Sequence, residues 1–461
     1  MASKITKIGT TNNKISARGG LTLTLNYFDN TNLLALILSN LDPLVRKGHK
    51  GLELYQFVRQ VLAFFIDGTS RSLCHFDNLK NDQGYSAILE TEPDQLASSH
   101  QIKRFFGKMA HINDDCFNEI LHQLLIWRLK IERPSIIELG IDTMVMNNDQ
   151  AKKRQGCECT YKKVKGFQPL NVTYGGYIVS TLFRKGSAHS NHGTDFTTQM
   201  EAVVNLIRKE YDADVPIVLR ADSGFSDQKA FRYFEESLGI HYIITSKRHA
   251  DYYDYINGLD DENFAEIKKG KAIWQYHEFG DRRKSWDKMR RCFYTRLQRD
   301  HQGQYKLHDP GTDAFIYTNI SMGGQADQRL VQAVGHEYFQ ASSIIAKSHE
   351  RGADELIHRS LKELATTEHL PFEAFGNNRA YYFLMVIAHF MFEAYKRDVT
   401  YDVISPVSYP NTFRRKLIDF AAMVVDHARN TILKVTKTIY QTLKINELWK
   451  RCCQPPPIAY G

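Results

Sequence analysis

The sequence predicts a mixed α/β fold: a sheet-centred core, preceded by a helical region and interrupted by a β-rich segment. Two changes of hydrophobic period indicate this. The pattern is helical from Asn30 to about Leu129 and turns strand-like from residue 135, where apolar, β-branched runs begin to alternate with amphipathic stretches. A second change comes at roughly residue 250, where aromatic, β-rich runs separated by charged turns continue to about residue 325.

Residues 1–20 are rich in Lys, Asn, Thr and Gly and predict extended or disordered chain. Residues 21–27 alternate apolar and polar, which predicts a short strand. LELYQFVRQVLAFFI (52–66) predicts a strongly apolar helix, and HFDNLKND (75–82) a helix end or loop. SSHQIKRFFGKM (98–109) opens on helix-capping serines after a turn-like EPDQ. It reads as the second helix of a helix-turn-helix, offering Gln101, Lys103 and Arg104 to DNA, or as an ordinary amphipathic helix with Ile102, Phe105 and Phe106 inward. The two readings are compatible. CFNEILHQLLIWRL (116–129) closes the helical region.

IIELGID, FQPLNVTY, GYIVSTLFR and PIVLRAD then predict strands. TTQMEAVVNLIRKEY (197–211) and DQKAFRYFEESLG (227–239) predict amphipathic helices, and HYIITSK (241–247) a further strand. IWQYHEF, RRCFYTRLQ and AFIYTNI are the strands of the β-rich segment. Residues 327–347 predict one helix, leading to a helical stretch around Glu355. NNRAYYFLMVIAHFMFEAYKR (377–397) predicts an apolar helix beneath that stretch.

A chain of 461 residues can build two or three domains. Its net charge of +8 is compatible with a polyanionic partner, and the charge is uneven. From Lys396 to Arg451 there are 11 Lys/Arg against 5 Asp/Glu, which suggests a phosphate-facing surface or simply soluble Lys-rich helices. No apolar run approaches the ~20 residues of a membrane span, and the polar N-terminus lacks the apolar stretch of a secretory signal. Seven scattered cysteines fit a reducing, cytoplasmic compartment. Cys157 and Cys159, with His189 and His192 about thirty residues on, allow a zinc site, although C-x-C is not the usual spacing.

Three acids stand where a two-metal nuclease needs them. SIIELGIDTM (135–144) and PIVLRADSGF (216–225) place Asp142 and Asp222 at the ends of apolar runs, and RGADELIHRSLK (351–362) carries Glu355. Hard cations such as Mg²⁺ take oxygen ligands, and a pair of them can serve both the attacking and the leaving oxygen of a phosphoryl displacement. A lone strand-end aspartate is more often a cap or turn former. Arg351, Glu355, His358 and Lys362 line one helical stripe; by itself this is a solvated face of charge pairs, and its mixed charge marks it as no core face. Asp354 and Glu350 are rivals to Glu355, disfavoured by helix phase relative to Arg351 and Lys362.

With these strings the chain resembles the DDE transposases of bacterial insertion sequences, of the cut-and-paste kind. R-x-D-S-G-F at 220–225 is similar to that family's second-aspartate motif, and Arg351, Glu355 and Lys362 match the spacing around its catalytic glutamate. The family signature begins with a Tyr where this chain has Ser348. The resemblance implies catalytic, metal-binding Asp142, Asp222 and Glu355 holding two Mg²⁺ ions, with Mn²⁺ as a substitute, and Arg351 and Lys362 on backbone phosphates. It implies a ribonuclease H-like core, which the strand and helix order also fits. The expected domains are a helical DNA-binding region at 1–130, core at 131–249, a β-rich insertion at 250–325, core with the catalytic helix at 326–400, and a basic segment at 401–461. The expected activity is strand cleavage and strand transfer. Its substrates are double-stranded DNA, namely terminal inverted repeats and target, bound by a homodimer in a bacterial cytoplasm at the nucleoid. An inactive or domesticated DNA-binding protein, or a repair nuclease, is the alternative.

AKKRQGCECTYKKVKGF (151–167) supplies Lys152, Lys153, Arg154, Lys162, Lys163 and Lys165, either a grip on the cleaved strand or a solvated hairpin. Trp274 and Trp286 are candidates to stack on a displaced base, or are core.

Overall fold

A computed structural model describes residues 5, 7–45, 51–151, 153–188, 194–306, 313–350, 352–428 and 430–459, the side chains of 353 and 354 excepted. The chain forms two compact units, one of Met1–Ile120, Lys152–Gln155 and Arg359–Gly461, the other of Leu121–Ala151 and Gly156–His358.

The first unit opens with a short strand, β1 (Lys14–Ser16), and the helices α1 (Gly20–Asn30), α2 (Leu33–Leu41), α3 (Leu54–Asp67), α4 (His75–Leu79), α5 (Gln83–Ile88) and α6 (Ser99–Lys108). Residues 21–27, expected as a strand, lie in α1. Leu21, Thr22, Leu23, Thr24 and Leu25 are all buried there, so burial on every side overrides their strand-like alternation. Gly20 sits where a β-carbon would stand 1.7 Å from the Leu417 carbonyl oxygen, so no larger residue fits. α6 begins as expected. Ser98 caps it, and the Gln101 side chain returns to the Ser98 amide at 2.8 Å.

α7 (Asp114–Glu132) leads to the second unit, whose centre is a nine-stranded sheet. Its first strand is β2 (Ile137–Thr143). A small sheet follows, made of β3 (Met146–Asn147), β4 (Glu158–Cys159) and β5 (Lys165–Phe167) in the order β3-β5-β4. FQPLNVTY divides at Pro169, which cannot donate to a ladder, so β5 ends at Phe167 and β6 (Leu170–Tyr174) joins the large sheet. β7 (Tyr177–Leu182), α8 (Asp195–Glu210), β8 (Ile217–Ala221), α9 (Gln228–Arg232) and β9 (His241–Thr245) come next. α9 widens into a π-helical turn over 233–238, closed by Gly239 in the left-handed region. After α10 (Ala250–Asn257), β10 (Ala265–Lys269), β11 (Ala272–Asp281), β12 (Arg290–Arg299) and β13 (Ala314–Thr318) form antiparallel neighbours.

The sheet order is β10-β11-β12-β13-β9-β8-β2-β6-β7. β2 pairs parallel with β8 and β8 with β9, while β6 and β7 run antiparallel beside β2. The β-rich segment extends this same sheet, because β13 pairs with β9. Val218, Ile243, Phe293 and Ile316 share one core cluster with Leu330, Ile344 and Ile345 of the helices that follow. Those are α11 (Gln325–Val334) and α12 (Ala341–His349). The single helix expected over 327–347 is broken at Gly335, whose φ of 75° no helical residue adopts.

α13 (Gly352–Leu364) carries the chain back to the first unit. There α14 (Phe375–Asp398) is buried along most of its length, with Phe117, Phe65 and Tyr27 against its Phe383, Tyr381 and Tyr395. α15 (Pro410–Phe413), the hairpin β14 (Ala422–His427) and β15 (Asn430–Val435), then α16 (Lys437–Thr442) and α17 (Ile445–Cys453) complete the chain, and β1 pairs with β14. All seven cysteines are free thiols. Among the described residues no helix is long and apolar enough to cross a membrane.

Candidate active site

β2 and β8 bring two acids side by side. Ile141 is in register with Ala221 on these adjacent parallel strands, so Asp142 and Asp222 are the next residue on each. Neighbouring strands lie about 4.8 Å apart. β2 is buried except at Glu138 and Asp142, which are four residues apart and share a face. One oxygen of each aspartate is engaged locally. Asp142 Oδ1 accepts the Thr143 amide, and Asp222 Oδ1 accepts the Gly224 amide at 2.8 Å, capping the turn Ser223–Phe225.

Within the second unit, α13 presents Glu355 to solvent and turns Ile357 and His358 inward. His358, read from sequence as part of a charged outer stripe, is 8% exposed. Its burial is explained by polar partners waiting on the sheet. Asn171, opposite Asp142 on β6, places Nδ2 at 3.1 Å from His358 Nε2. Thr181 on β7 donates to Asn171 Oδ1 at 2.6 Å, which fixes the amide so that Nδ2 donates to Nε2. The imidazole proton then belongs on Nδ1, which faces Asp142 Oδ2 at 3.8 Å. Asn171 and Thr181 thus hold the His358 ring beside the first acid, one helical turn from Glu355. Only His358 left a trace in the sequence, as the E-x-x-H spacing. Asn171 needed the strand register.

The turn between β4 and β5 carries Tyr161. Partial burial, and then the charges of Asp142, Asp222 and Glu355, raise its hydroxyl above the usual tyrosine value. The turn is closed by Thr160–Val164 hydrogen bonds, with Lys163 in the left-handed region at φ 59°. Tyr161 is 58% exposed, and Lys162, Lys163 and Lys165 are exposed around it. Earlier in the segment, Lys153 is exposed and Arg154 half-buried.

Lys152 and Arg351 lie outside the described residues, as do His189, His192 and the Asp354 side chain. Glu350 is paired with Lys347 at 3.0 Å and Arg220 at 3.7 Å. In the first unit, Lys362 is paired with Glu368 at 3.0 Å. There too Lys103 and Arg104 are exposed on α6 while Ile102, Phe105 and Phe106 are buried. Trp274 is half-buried with its ring 4.3 Å from that of His349. Trp286 is a packing residue. It is buried between Phe231 and Tyr317 with Arg290 over its ring, so it has no face to offer a base.

Asp222 and Glu355 form no ion pair among the described residues, and carboxylate oxygens are the ligand type that hard cations take. Among the described residues, no three of His, Cys, Asp and Glu already stand close enough to hold one.

The family described as Transposase DDE domain group 1 matches residues 3–454. Among solved structures, the chain is similar to the piggyBac transposase in a cryo-EM synaptic complex with hairpin DNA. The TM-score is 0.39 and the identity 10%, over 95% of this chain and 83% of that one. No curated protein matches the chain.

Proposed function

The chain belongs to the transposase DDE domain family, and on that premise we propose that Asp142, Asp222 and Glu355 are the acids with which it cuts and rejoins DNA. The observation that carries this reading is the strand register: Asp142 and Asp222 each follow a paired residue, Ile141 and Ala221, on neighbouring parallel strands. The order β7-β6-β2-β8-β9, an antiparallel trio continued by parallel strands, supports a ribonuclease H-like core. In such open sheets, ligands gather at strand ends.

In this reading Asp142, Asp222 and Glu355 hold two divalent cations, Mg²⁺ or Mn²⁺ in its place, with substrate phosphate and water as the remaining ligands. When bound, such ions supply an activated attacking oxygen and offset the charge on the leaving one. The chain's residues supply position. His358 Nδ1 stands 3.8 Å from Asp142 Oδ2, close enough to orient it through charge. Tyr161 and the lysines at 162, 163 and 165 contact the DNA backbone, and Lys153, Arg154 and Lys362, which belong to the other unit, are further candidate phosphate contacts. Lys103 and Arg104 on α6 contact the terminal repeats of an insertion sequence. Two ends excised in one event call for two active sites, hence a homodimer on DNA.

Cleavage of a terminal-repeat duplex by the purified chain with Mg²⁺, read by mapping nicks, tests the assignment. Asp222→Asn is expected to lose cleavage while keeping the far-UV spectrum of the parent, and chelation is expected to do the same reversibly, with Mn²⁺ restoring activity. Normal cleavage by Asp222→Asn sinks it.

A further inference from the structure

At the far end of the same sheet lies a cavity of about 580 Å³. Ile240 and His241 at the start of β9 line it. His241 is in register with Val218, four residues before Asp222, so the cavity is roughly 13 Å along the strands from the acids. Four permanent cations line it: Arg208, Lys288, Arg290 and Arg329. Two carboxylates do so as well, and both are committed. Glu235 is tied to Arg290 at 3.1 Å and Lys288 at 2.7 Å, and the exposed Glu236 pairs with Arg232 at 3.3 Å.

That leaves Arg208 and Arg329. Arg329 reaches Asp214, a rim residue 76% exposed, at 3.0 Å. Arg208 has no carboxylate partner among the described residues. Its Nη2 donates to the Gly239 carbonyl at 3.3 Å, and its buried Nε donates to nothing. Burial first, and then the charge of Arg329, lower its pKa. Arg290, only 1% exposed, likewise keeps a buried Nη1 without a partner. The lining also includes Gly323 and Gly324, at φ 84° and 103°, which lead into α11, where Asp327 of the first turn accepts the Ser321 and Gly323 amides at 3.1 and 2.7 Å. A helix N-terminus adds partial positive charge.

We propose that this cavity is a phosphate-binding site, in which Arg208 and Arg329 clamp a phosphate ester against the start of α11. The ester is either a backbone phosphate of DNA passing this end of the sheet or a free oligophosphate. The site stands whether or not the cleavage chemistry proposed above does.

Two arms separate the sources, using the full chain in phosphate- and sulfate-free buffer. Calorimetric titration with pyrophosphate and with ATP tests the free source. The salt dependence of binding to a duplex tests the DNA source. The variants are Arg208→Gln with Arg329→Gln, Arg329→Gln alone at the better-exposed position, Arg329→Lys as the conservative partner, and Lys268→Gln as a control cation outside the cavity. A free ligand is expected to bind with one site per chain and to weaken about tenfold or more in Arg329→Gln. A bound DNA phosphate instead predicts no free-ligand binding and a log–log salt slope flatter by about 0.9 in Arg329→Gln, with Arg329→Lys closer to the parent than Arg329→Gln. If pyrophosphate and ATP do not bind and the Arg329→Gln slope equals that of Lys268→Gln, the proposal is overturned.

Discussion

His358 ties the sequence pattern to the sheet. Its ring faces Asp142 on one side and Asn171 on the other, and the Asn171 amide decides which nitrogen carries the proton. Groups that orient a metal-ligating side chain typically contribute about 10–100-fold in metal affinity or activity. His358→Ala is therefore expected to raise the Mn²⁺ concentration needed for half-maximal cleavage by that order. His358→Gln, whose amide can donate to Asp142 and accept from Asn171, should recover part of it. Equal effects of the two variants would reduce His358 to a space-filler. The placement of Asp142 and Asp222 at strand ends was legible because apolar, β-branched runs stop at each. Tyr161 was harder to see, since a tyrosine among lysines has the composition of any solvated turn.

At the scale of elements, legibility followed burial. Half-buried segments such as α6 and α8 kept their periods and were readable to within a few residues. α1 was misread because a helix buried on all sides has no polar face to mark its turn. On α6 the outward Lys103 and Arg104 lead to a direct test. Replacing both by Ala should weaken binding to element ends without lowering the thermal midpoint, because neither packs on the core. A loss confined to random duplex would remove α6 from recognition.

The basic C-terminal segment is partly internal. Lys396 is buried beside Glu393, and Arg414 donates to carbonyls of Phe65, Ile66, Glu363 and Leu364. Arg451 and Lys444 grip Asp402. The Arg451 hydrogen bond, then that of Lys444, holds the Asp402 carboxyl well below its ordinary value. A carboxylate with a depressed pKa stabilises fully above its unfolded value, near 3.8, and less as pH falls below it. α17 should therefore become protease-sensitive on acidification through that range. Asp402→Asn should make it sensitive at neutral pH as well, and an unchanged digestion profile would refute the clamp.

At the scale of the whole molecule, the sequence revealed the strands but not their order. Nothing in IWQYHEF or RRCFYTRLQ says that these runs lengthen the central sheet, since pairing of β13 with β9 is a long-range choice. The interleaving of the units was equally hidden. Residues 1–120 form one compact unit with 359–461, and α14 supplies much of its buried surface. A fragment ending at residue 130 should therefore fail to show a cooperative melt, whereas 1–120 joined by a flexible linker to 359–461 should show one. A sharp melt for the short fragment alone would mean that the N-terminal helices need no partner.

The pairing of β1 with β14 has a consequence for synthesis. Lys14 meets Val424, so the first strand waits for some 410 further residues before its partner exists. At roughly 5–20 residues per second that delay is on the order of 20–80 s. α1 can pack early on α2 and α3, but its contacts with α14 and α17 must wait until those helices leave the ribosome. A chain cut short before those helices would leave part of α1 uncovered, so the order of synthesis itself decides how long this unit stays open.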